Sequence, residues 1–482
     1  MKKQVVFILF SLLSLTVGGE VSGRNAGKKN AGIPDSRQML SERNLSRAIG
    51  LVDKAMSCYF TGDEMVMSRY YNPYTKSRSE EKGSVWMYTS SIEAVNAILH
   101  ALKVQKDNGN NTGYDKYYSR YENLLGLLYD NADYYLGTFT LTSYTQTKEW
   151  SVYGVNRGRE KGTAPVAGIE NVYDDQQWLV RELLESYRIT GNEAYLQKAE
   201  YLTDYVLDGW DRTLDQNGKE HGGITWGPGY TTKHSCSNGP MISPLVWLSE
   251  LYKGKNEEIS YNYIDTDGSR KTAAMQKSDY YLNFAKDVYD YQQRSLMRPD
   301  GVYADMMGGC VPDCAVAYEL IDGVKYRKHT ALRDQAGPPI SYNSGTMISG
   351  AADLYRATRN KRYKKDMRNL SDASFRYFAK PGATRPGYYT YKTGGFDNWF
   401  NGVLMRGYVD AYTDYNKVSA NIESFQKNLD YGYDNYLFDG ILPTDLLAGW
   451  NGDHNNNAVE GMFIFAFAAE YALLARYELE RD

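Results

Sequence analysis

Apolar side chains recur along most of the chain at the three- and four-residue spacing of amphipathic helices. One predicted helix carries this pattern over several turns, with the apolar residues Leu45, Ala48, Ile49, Val52, Met56 and Tyr59. The same spacing predicts helices around residues 92–102, 180–187 and 396–404, and residues 458–475 are apolar on nearly every side. Strand-like alternation is scarce and is confined to short pieces such as residues 138–144.

An internal echo indicates that the helices are arranged in pairs. Residues 186–192, followed by Tyr195, resemble residues 354–360, followed by Tyr363. In both segments a helical pattern ends in a short polar turn and a second one begins, which predicts a helical hairpin used at least twice. About twelve helices paired in this way fit an (α/α)6 toroid or an open solenoid. Because the connections are long and irregular, the pattern favours the toroid, an all-α fold.

The first residues of the chain predict export. A Met-Lys-Lys start precedes an apolar run at residues 5–17, which is too short to cross a bilayer and is typical of a secretory signal peptide. We interpret residues 1–22 as this signal, with an uncleaved anchor as the alternative, and place the protein in the periplasm, at the cell surface or outside the cell. Residues 23–41 are expected to be a flexible lead-in. No linker interrupts the remainder, so residues 42–482 are predicted to form a single domain.

Composition narrows the classes of partner. The net charge of -4 argues against a nucleic-acid partner, which requires a basic surface. After the leader, the sequence has no segment long and apolar enough to span a membrane. The 45 tyrosines and 8 tryptophans suit surfaces that stack on sugar rings, although most are expected to pack between helices. Five histidines, scattered singly, leave little from which to build a metal site, so neither a metal nor another cofactor is expected.

Four cysteines in an exported chain could form disulfides. Cys310 and Cys314 are close enough in sequence for a local bridge around Pro312, whereas Cys58 and Cys236 are far apart. Free, buried thiols fit the same four positions, so the sequence leaves both interpretations open.

Two adjacent carboxylates, Asp174 and Asp175, directly precede a predicted helix. Hydrolysis of a glycosidic bond needs one acid to protonate the leaving oxygen and one carboxylate to attack the sugar or activate water. Neighbouring carboxylates can divide these roles, because two close like charges do not both ionise easily. A purely structural role also fits, since Asp174 with Gln177 three residues later has the spacing of a capping box.

A glycine-rich segment at residues 222–229 is a second candidate. Its glycines allow backbone conformations that other residues avoid, and they would present Trp226 on a loop. Packing of Trp226 into the core is the alternative. Ser237 and Asn238 are expected to cap the helix that begins at Pro240, or else to lie at the site.

Two further acidic positions are interpreted as turns. Residues 265–268 resemble the start of a calcium loop, but Gln276 stands where the closing glutamate belongs, so a surface turn is expected. Asp305 fits either a cleft or a turn, and the turn is favoured.

Together these motifs resemble glycoside hydrolase family 76, the endo-α-1,6-mannanases of bacteria and fungi. The runs Tyr-Asp-Asp-x-x-Trp at residues 173–178 and Gly-Gly-Ile-x-Trp at residues 222–226 are similar to motifs of that family. Further similarity lies at residues 237–240 and 342–346, and the order of the motifs extends over residues 45–475. Either main motif alone is weak, whereas the two in this order are fairly specific.

The resemblance implies an (α/α)6 barrel with an open cleft, a retaining mechanism and α-1,6-linked mannan as the substrate, without a metal or organic cofactor. It implies that Asp174 is the nucleophile and Asp175 the general acid/base. A monomer is expected. The substrate-binding residues that we assign on this basis are Trp86, Tyr173, Trp226, Asn238 and Asn343.

The chain departs from the family's pattern beside these motifs. Gln176 and Gln177 replace residues that are often apolar, Thr225 replaces a second aromatic residue, and Met87 belongs to a reduced aromatic cluster near Trp86. These departures leave the acid pair intact but open the question of which α-linked glycan is cut.

Two other classes of protein are alternatives to a hydrolase: a glycan-binding surface protein without turnover, and an epimerase or lyase. The acid pair argues against the first class and the scarcity of histidine against the second.

Overall fold

The structure, a computed structural model, describes residues 35–481. Over this range the chain forms twelve α-helices, which confirms the predicted number. The helices are α1 Asp35–Tyr59, α2 Val85–Asp107, α3 Thr112–Ala132, α4 Tyr173–Thr190, α5 Glu193–Asp208, α6 Ile242–Tyr252, α7 Lys277–Leu296, α8 Ser341–Thr358, α9 Lys361–Phe378, α10 Asp397–Ala411, α11 Ser419–Tyr436 and α12 Gly461–Glu480. The predicted signal peptide, residues 1–22, lies outside the described residues.

The sequence predicts an all-α fold. Short antiparallel strands occur in the connections, so the described fold is instead mostly helical. The strands are β1 Phe60–Thr61, β2 Val66–Met67, β3 Tyr70–Asn72, β4 Ser77–Arg78, β5 Leu136–Thr142, β6 Thr147–Tyr153, β7 Lys233–His234, β8 Glu258–Ile264, β9 Arg270–Gln276, β10 Met306–Gly308, β11 Tyr318–Ile321, β12 Val324–Arg327, β13 Asp334–Ala336, β14 Lys380–Pro381, β15 Tyr389–Thr390 and β16 Val459–Glu460. They pair in small sheets of two or three strands. Most are too short for alternation to show in the sequence, and β5 is the strand predicted near residues 138–144.

The even-numbered helices contact one another in chain order. Helix α2 packs against α4, α4 against α6, α6 against α8, α8 against α10 and α10 against α12, and α12 packs back against α2. From α3 onwards, each odd-numbered helix packs against the even-numbered helix before it, and α1 packs against α12 and α2. The contacts of the six even-numbered helices therefore close into a ring. Helix α12 is buried over almost its whole length, as its apolar sequence predicts.

The predicted repeat of a helical hairpin is confirmed in detail. Helix α4 is followed by Gly191 with φ 73°, and the side chain of Asn192 then caps α5 by accepting from the backbone N–H two residues later at 3.1 Å. Helix α8 is followed by Arg359 with φ 58°, and Asn360 caps α9 in the same way at 3.0 Å. Both turns therefore use one left-handed residue and one asparagine cap.

The domain begins earlier than residue 42. Residues 35–41, expected to be part of a flexible lead-in, form the first turns of α1. Ser41 is buried, where its hydroxyl donates to the carbonyl of Ala475 at 2.7 Å and accepts from the Gln105 amide at 3.1 Å. Residues 35–41 therefore belong to a helix with one covered face, and residues 23–34 of the expected lead-in lie outside the described residues. Across the described residues, none of the helices combines the length and apolar character needed to cross a membrane.

Candidate active site

Asp174 and Asp175 are the second and third residues of α4. The N-cap position is Val172, so the capping-box interpretation of Asp174 is wrong. Gln177, which would have completed that box, instead donates its amide to the carbonyl of Ser237 at 2.6 Å. Both carboxylates therefore lie in the first helical turn, where the helix dipole favours negative charge.

Burial gives the two carboxyls of the pair different acidities. Burial raises the pKa of Asp174 to about 6, while polar contacts with the Cys236 thiol and the Trp226 indole oppose that shift. Asp175 is only 7% exposed, and burial followed by the negative charge of Asp174 raises its pKa well above the ordinary value. Asp174 therefore ionises first, and Asp175 holds its proton to higher pH.

Trp226 lies beside Asp174 on the glycine-rich loop. Its backbone carbonyl accepts from the N–H of Tyr173 at 2.7 Å, which ties this loop to the start of α4. Its ring stacks on His234, with centroids 4.9 Å apart, and packs against Tyr230 at 4.6 Å. The indole nitrogen of Trp226 and Oδ1 of Asp174 are both buried without a hydrogen-bond partner among residues 35–481. The loop thus presents an indole N–H next to the pair.

Asn238 holds this loop in shape. It is fully buried, and its Oδ1 accepts from the N–H of Ile224 at 2.8 Å. Its Nδ2 donates to the carbonyls of Ile224 and His234, at 3.0 and 2.7 Å. Its side chain makes no cap bond to the helix that follows, so the capping prediction is wrong, whereas a contact of Asn238 with substrate stays a prediction. Gly223 completes the loop with φ 81°, where a Cβ would stand 2.4 Å from the ring of Tyr291.

Tyr173, predicted to contact substrate, lies in the core instead. Its side chain is 1% exposed, and its ring packs against that of Tyr205 with centroids 5.0 Å apart. It also fills the space beside Gly209, where a Cβ would come within 2.5 Å of the ring. Successive helix positions diverge by about 100°, so Tyr173 points towards α5 while its neighbour Asp174 faces the Trp226 loop.

An aromatic wall extends from the pair across the first turns of α2, α4, α8 and α10. We define the wall by Trp86, Trp178, Tyr342, Trp399 and Phe400. Trp399 lies 4.7 Å from Trp178, 5.6 Å from Tyr342 and 5.2 Å from Trp86, measured between ring centroids. Trp178, Tyr342 and Trp399 are buried, whereas Trp86 and Phe400 remain partly exposed. These contacts place the first turns of the four helices at one end of the ring.

Asp305 and Asn343 lie on another side of the pair. Burial raises the pKa of Asp305, and the facing amide of Asn343 opposes that shift. Burial, followed by the charges of Asp174 and Asp305, raises the pKa of the Cys236 thiol well above its usual value. Asp305, interpreted from sequence as part of a turn, lies in a bend before β10, and its charge acts on the Cys236 thiol beside the pair. Its distance along the chain from residue 174 hides this relationship in the sequence.

Asp211, His221 and His329 converge behind the glycine-rich loop, although the histidines look isolated in the sequence. Their potential ligand atoms lie within 4.8 Å of one another. The ammonium of Lys233 and Nδ1 of His329 both donate to Oδ2 of Asp211, each at 2.8 Å, and Lys233 also donates to the carbonyl of Gly222. Burial alone would raise the pKa of Asp211, but Lys233 and His329 hold it well below its usual range. The cluster therefore braces the loop that carries Trp226.

The disulfide left open by the sequence is present beside this region. Cys310 and Cys314 are bridged, with Cα atoms 5.1 Å apart, and Cys58 and Cys236 are free thiols. The hydroxyl of Thr231 donates to the carbonyl of Cys314 at 3.1 Å. The bridged turn is thereby attached to the segment that follows Trp226.

Comparison with known proteins identifies similar chains. The profile of glycosyl hydrolase family 76 matches residues 96–258 and 268–428. The family 76 mannosidase Bt3792 from Bacteroides thetaiotaomicron is similar in structure, with a TM-score of 0.64 at 19% identity over 90% of this chain and 98% of that chain. Dfg5 from Chaetomium thermophilum in complex with glucosamine has a TM-score of 0.53 at 13% identity, over 93% of each chain. A search of curated proteins finds no match.

Among the similar solved structures are complexes with a bound oligosaccharide. One of them is an inactive variant of the α-1,6-mannanase GH76A of Salegentibacter sp. HEL1_6, with two consecutive aspartates replaced by asparagine, in complex with α-1,6-mannotriose. Its TM-score is 0.56 at 18% identity, over 91% of this chain and 100% of that chain. At such identities the structural similarity shows a shared fold. The profile match covers well over half of the sequence, and the chain therefore belongs to glycosyl hydrolase family 76.

Proposed function

We propose that this protein is an exported glycosidase that cleaves α-1,6-mannosidic bonds in mannan-type polysaccharide and acts as a monomer. The observation that supports this proposal most directly is the pair Asp174 and Asp175, which lie together in the first turn of α4 and differ in acidity. The closed ring of even-numbered helices supports an (α/α)6 toroid. The pair then lies at the end of the toroid where the first turns of α2, α4, α8 and α10 meet.

The proposed reaction is a retaining double displacement. Asp174, ionised first, attacks the anomeric carbon while Asp175 gives its proton to the departing glycosidic oxygen. This forms an ester between the sugar and Asp174. Asp175, now ionised, takes a proton from water as that water attacks the same carbon and releases Asp174. The sugar is freed with its original anomeric configuration, and both carboxyls return to their starting states.

The surroundings of the pair suit a sugar substrate. The partly exposed rings of Trp86 and Phe400 offer faces on which pyranose rings stack. The indole of Trp226 is in polar contact with Asp174 and therefore helps to orient that carboxylate. The α-1,6 linkage is proposed from the family and from the mannotriose bound by the Salegentibacter mannanase.

Assays of the Asp174→Asn and Asp175→Asn variants on α-1,6-mannan test this proposal. Each variant is expected to lose at least about 1,000-fold in kcat, because nucleophile and acid/base act as a unit. Asp279→Asn is a matched control, since Asp279 is also the third residue of its helix, α7, and is exposed. Full activity in both site variants would refute the mechanism.

Proton NMR of the first product distinguishes a retaining from an inverting reaction. An α-configured reducing end at early times supports the double displacement, whereas a β-configured one contradicts it. A wild-type protein that binds mannan but releases no reducing ends would instead favour the glycan-binding alternative.

A further inference from the structure

An open cavity lies on the outer side of the ring of helices, away from the acid pair. Its volume is about 130 Å³, and it is lined by α5, α7 and the hairpins β5–β6 and β8–β9. The lining residues that matter here are Trp150, Asp204, Asp208, Arg212, Tyr261 and Tyr280. None of the residues that line it belongs to the acid pair or the aromatic wall. Tyr205, which contacts Trp150 at 5.4 Å and Tyr173 at 5.0 Å, stands between the cavity and the start of α4.

Three polar atoms of the cavity's side chains are buried without a hydrogen-bond partner in the described part of the chain. They are Oδ1 of Asp204, Oδ2 of Asp208 and Nε1 of Trp150. Trp150 is 1% exposed, and the other oxygen of Asp208 accepts from Ser143 and Gln146, each at 2.9 Å, so both groups are held in place. Buried polar groups without partners are costly. A ligand hydroxyl that donates to these carboxylates would offset part of that cost.

The charges around the cavity are balanced. Burial raises the pKa of Asp204 to about 6, and the nearby Lys148 ammonium opposes the shift. Burial also raises the pKa of Asp208. Hydrogen bonds from Gln146 and Ser143 oppose that shift, followed by the charges of Lys148 and Arg212. Two bases therefore offset two acids, which favours a neutral ligand rich in hydroxyl groups over a metal ion. Tyr261 and Tyr280, with ring centroids 5.5 Å apart, add the aromatic surface that the apolar face of a sugar requires.

The cavity depends on a segment outside the family profile. The profile matches up to residue 258 and resumes at residue 268, so it leaves out residues 259–267. Strand β8 supplies Tyr261 from within that gap. Part of the cavity wall therefore lies outside the matched profile. Its volume falls below the roughly 300–1,000 Å³ of pockets that take drug-sized ligands, which limits the occupant to a single ring.

We propose that this cavity binds one pyranose ring of a glycan at a site separate from the acid pair. Asp204 and Asp208 accept bonds from two sugar hydroxyls, and Tyr261 stacks against the ring. The site adds a point of attachment for a glycan and is independent of the proposed hydrolysis.

Equilibrium dialysis with radiolabelled α-1,6-mannotriose tests the proposal, using Asp174→Asn protein to prevent turnover. Two sites per chain are expected. Asp204→Asn and Tyr261→Ala should each weaken one site at least about tenfold, because a charge-assisted bond or a stacking face is lost. Tyr263→Ala is the matched control, since Tyr263 lies on the same strand, is equally half-buried and does not line the cavity. This control should keep both sites.

Two outcomes would overturn the proposal. The first is a single class of site that neither variant changes. The second is binding of Ca²⁺ by the wild type that Asp204→Asn abolishes, with mannotriose binding unaffected. If Asp204→Asn fails to fold, the result for Tyr261→Ala alone tests the proposal. The Tyr261 ring is partly exposed on a hairpin, so its removal should not unfold the protein. Hydrolysis of mannotriose by the same variants in the wild-type background should stay within about twofold, which separates this site from the catalytic one.

Discussion

The indole N–H of Trp178 donates to the hydroxyl of Tyr342 at 2.9 Å, which joins α4 to α8 one turn beyond the acid pair. Both side chains are buried, at 3% and 2% exposure, so the bond is shielded from water. The Tyr342 hydroxyl in turn donates to the carbonyl of Cys236 at 3.4 Å. Helix α4 is thereby fixed relative to the two segments that surround Asp174.

Tyr342→Phe should lower the free energy of unfolding by about 1–3 kcal/mol, because it leaves the Trp178 N–H buried without a partner. Urea denaturation followed by circular dichroism measures this change. Tyr355→Phe, on the same helix, is the control, since Tyr355 is partly exposed and should tolerate the loss of its hydroxyl. Equal stability of the two variants would show that the Trp178–Tyr342 bond contributes nothing.

Asp174→Asn should stabilise the protein more at pH 7.5 than at pH 4.5. The folded pKa of Asp174, about 6, lies above the ordinary aspartate value, so the wild type loses stability as pH rises from about 4 to about 6. Asparagine does not titrate, and the gain should grow by about 2 kcal/mol between the two pH values. Denaturant unfolding at both pH values measures the difference. A gain independent of pH would contradict the raised pKa.

Gly223→Ala should displace the Trp226 loop. A Cβ at this position would meet the Tyr291 ring at 2.4 Å, and φ is 81°. On the proposed function, kcat/KM on α-1,6-mannan should fall about 10- to 100-fold, because small misplacements at a site are costly. Gly218→Ala is the matched control, with φ 75° and open space around the added atom. It should cost only about 1 kcal/mol of stability, with activity preserved.

Arg359→Gly should raise the free energy of unfolding by about 0.5–1 kcal/mol. Arg359 has φ 58°, a conformation that suits glycine, and it occupies the place that Gly191 holds in the equivalent turn. The reverse change, Gly191→Ala, should destabilise by a similar amount, because nothing lies within 4 Å of the added atom and the cost is conformational. Thermal unfolding of both variants provides the test. Opposite signs are expected.

Helix periodicity and the repeated turn motif were predicted from sequence, because both depend on residues close together in the chain. The periodicity around residues 92–102 and 180–187 lies in α2 and α4, and the echo of residues 186–192 in 354–360 became two equivalent turns. The adjacency of Asp174 and Asp175 was visible because both belong to one helical turn. These features depend on neighbours within a few residues, which the sequence displays directly.

Features that depend on distant contacts were missed or assigned wrongly. Tyr173 was assigned to the site because of its motif, but the rotation between successive helix positions turns it into the core. Asp305 is held beside the glycine-rich loop by the pairing of β10 with β7, where its carbonyl accepts from the N–H of Ser235 at 2.7 Å. Tyr342 is placed by the packing of α8, and no local pattern specifies either contact. The support that Asn238 gives to the loop was not predicted either. Its hydrogen bonds to backbone at Ile224 and His234 required the fold.

The surroundings of the free Cys236 thiol protect it from oxidation. On the proposed export, this thiol meets oxidants, which react with its ionised form. Burial and the neighbouring charges of Asp174 and Asp305 keep this thiol protonated. The negative charge that would make Asp174 a nucleophile therefore also makes the neighbouring Cys236 thiol less reactive. The site can thus contain an unpaired cysteine under oxidising conditions.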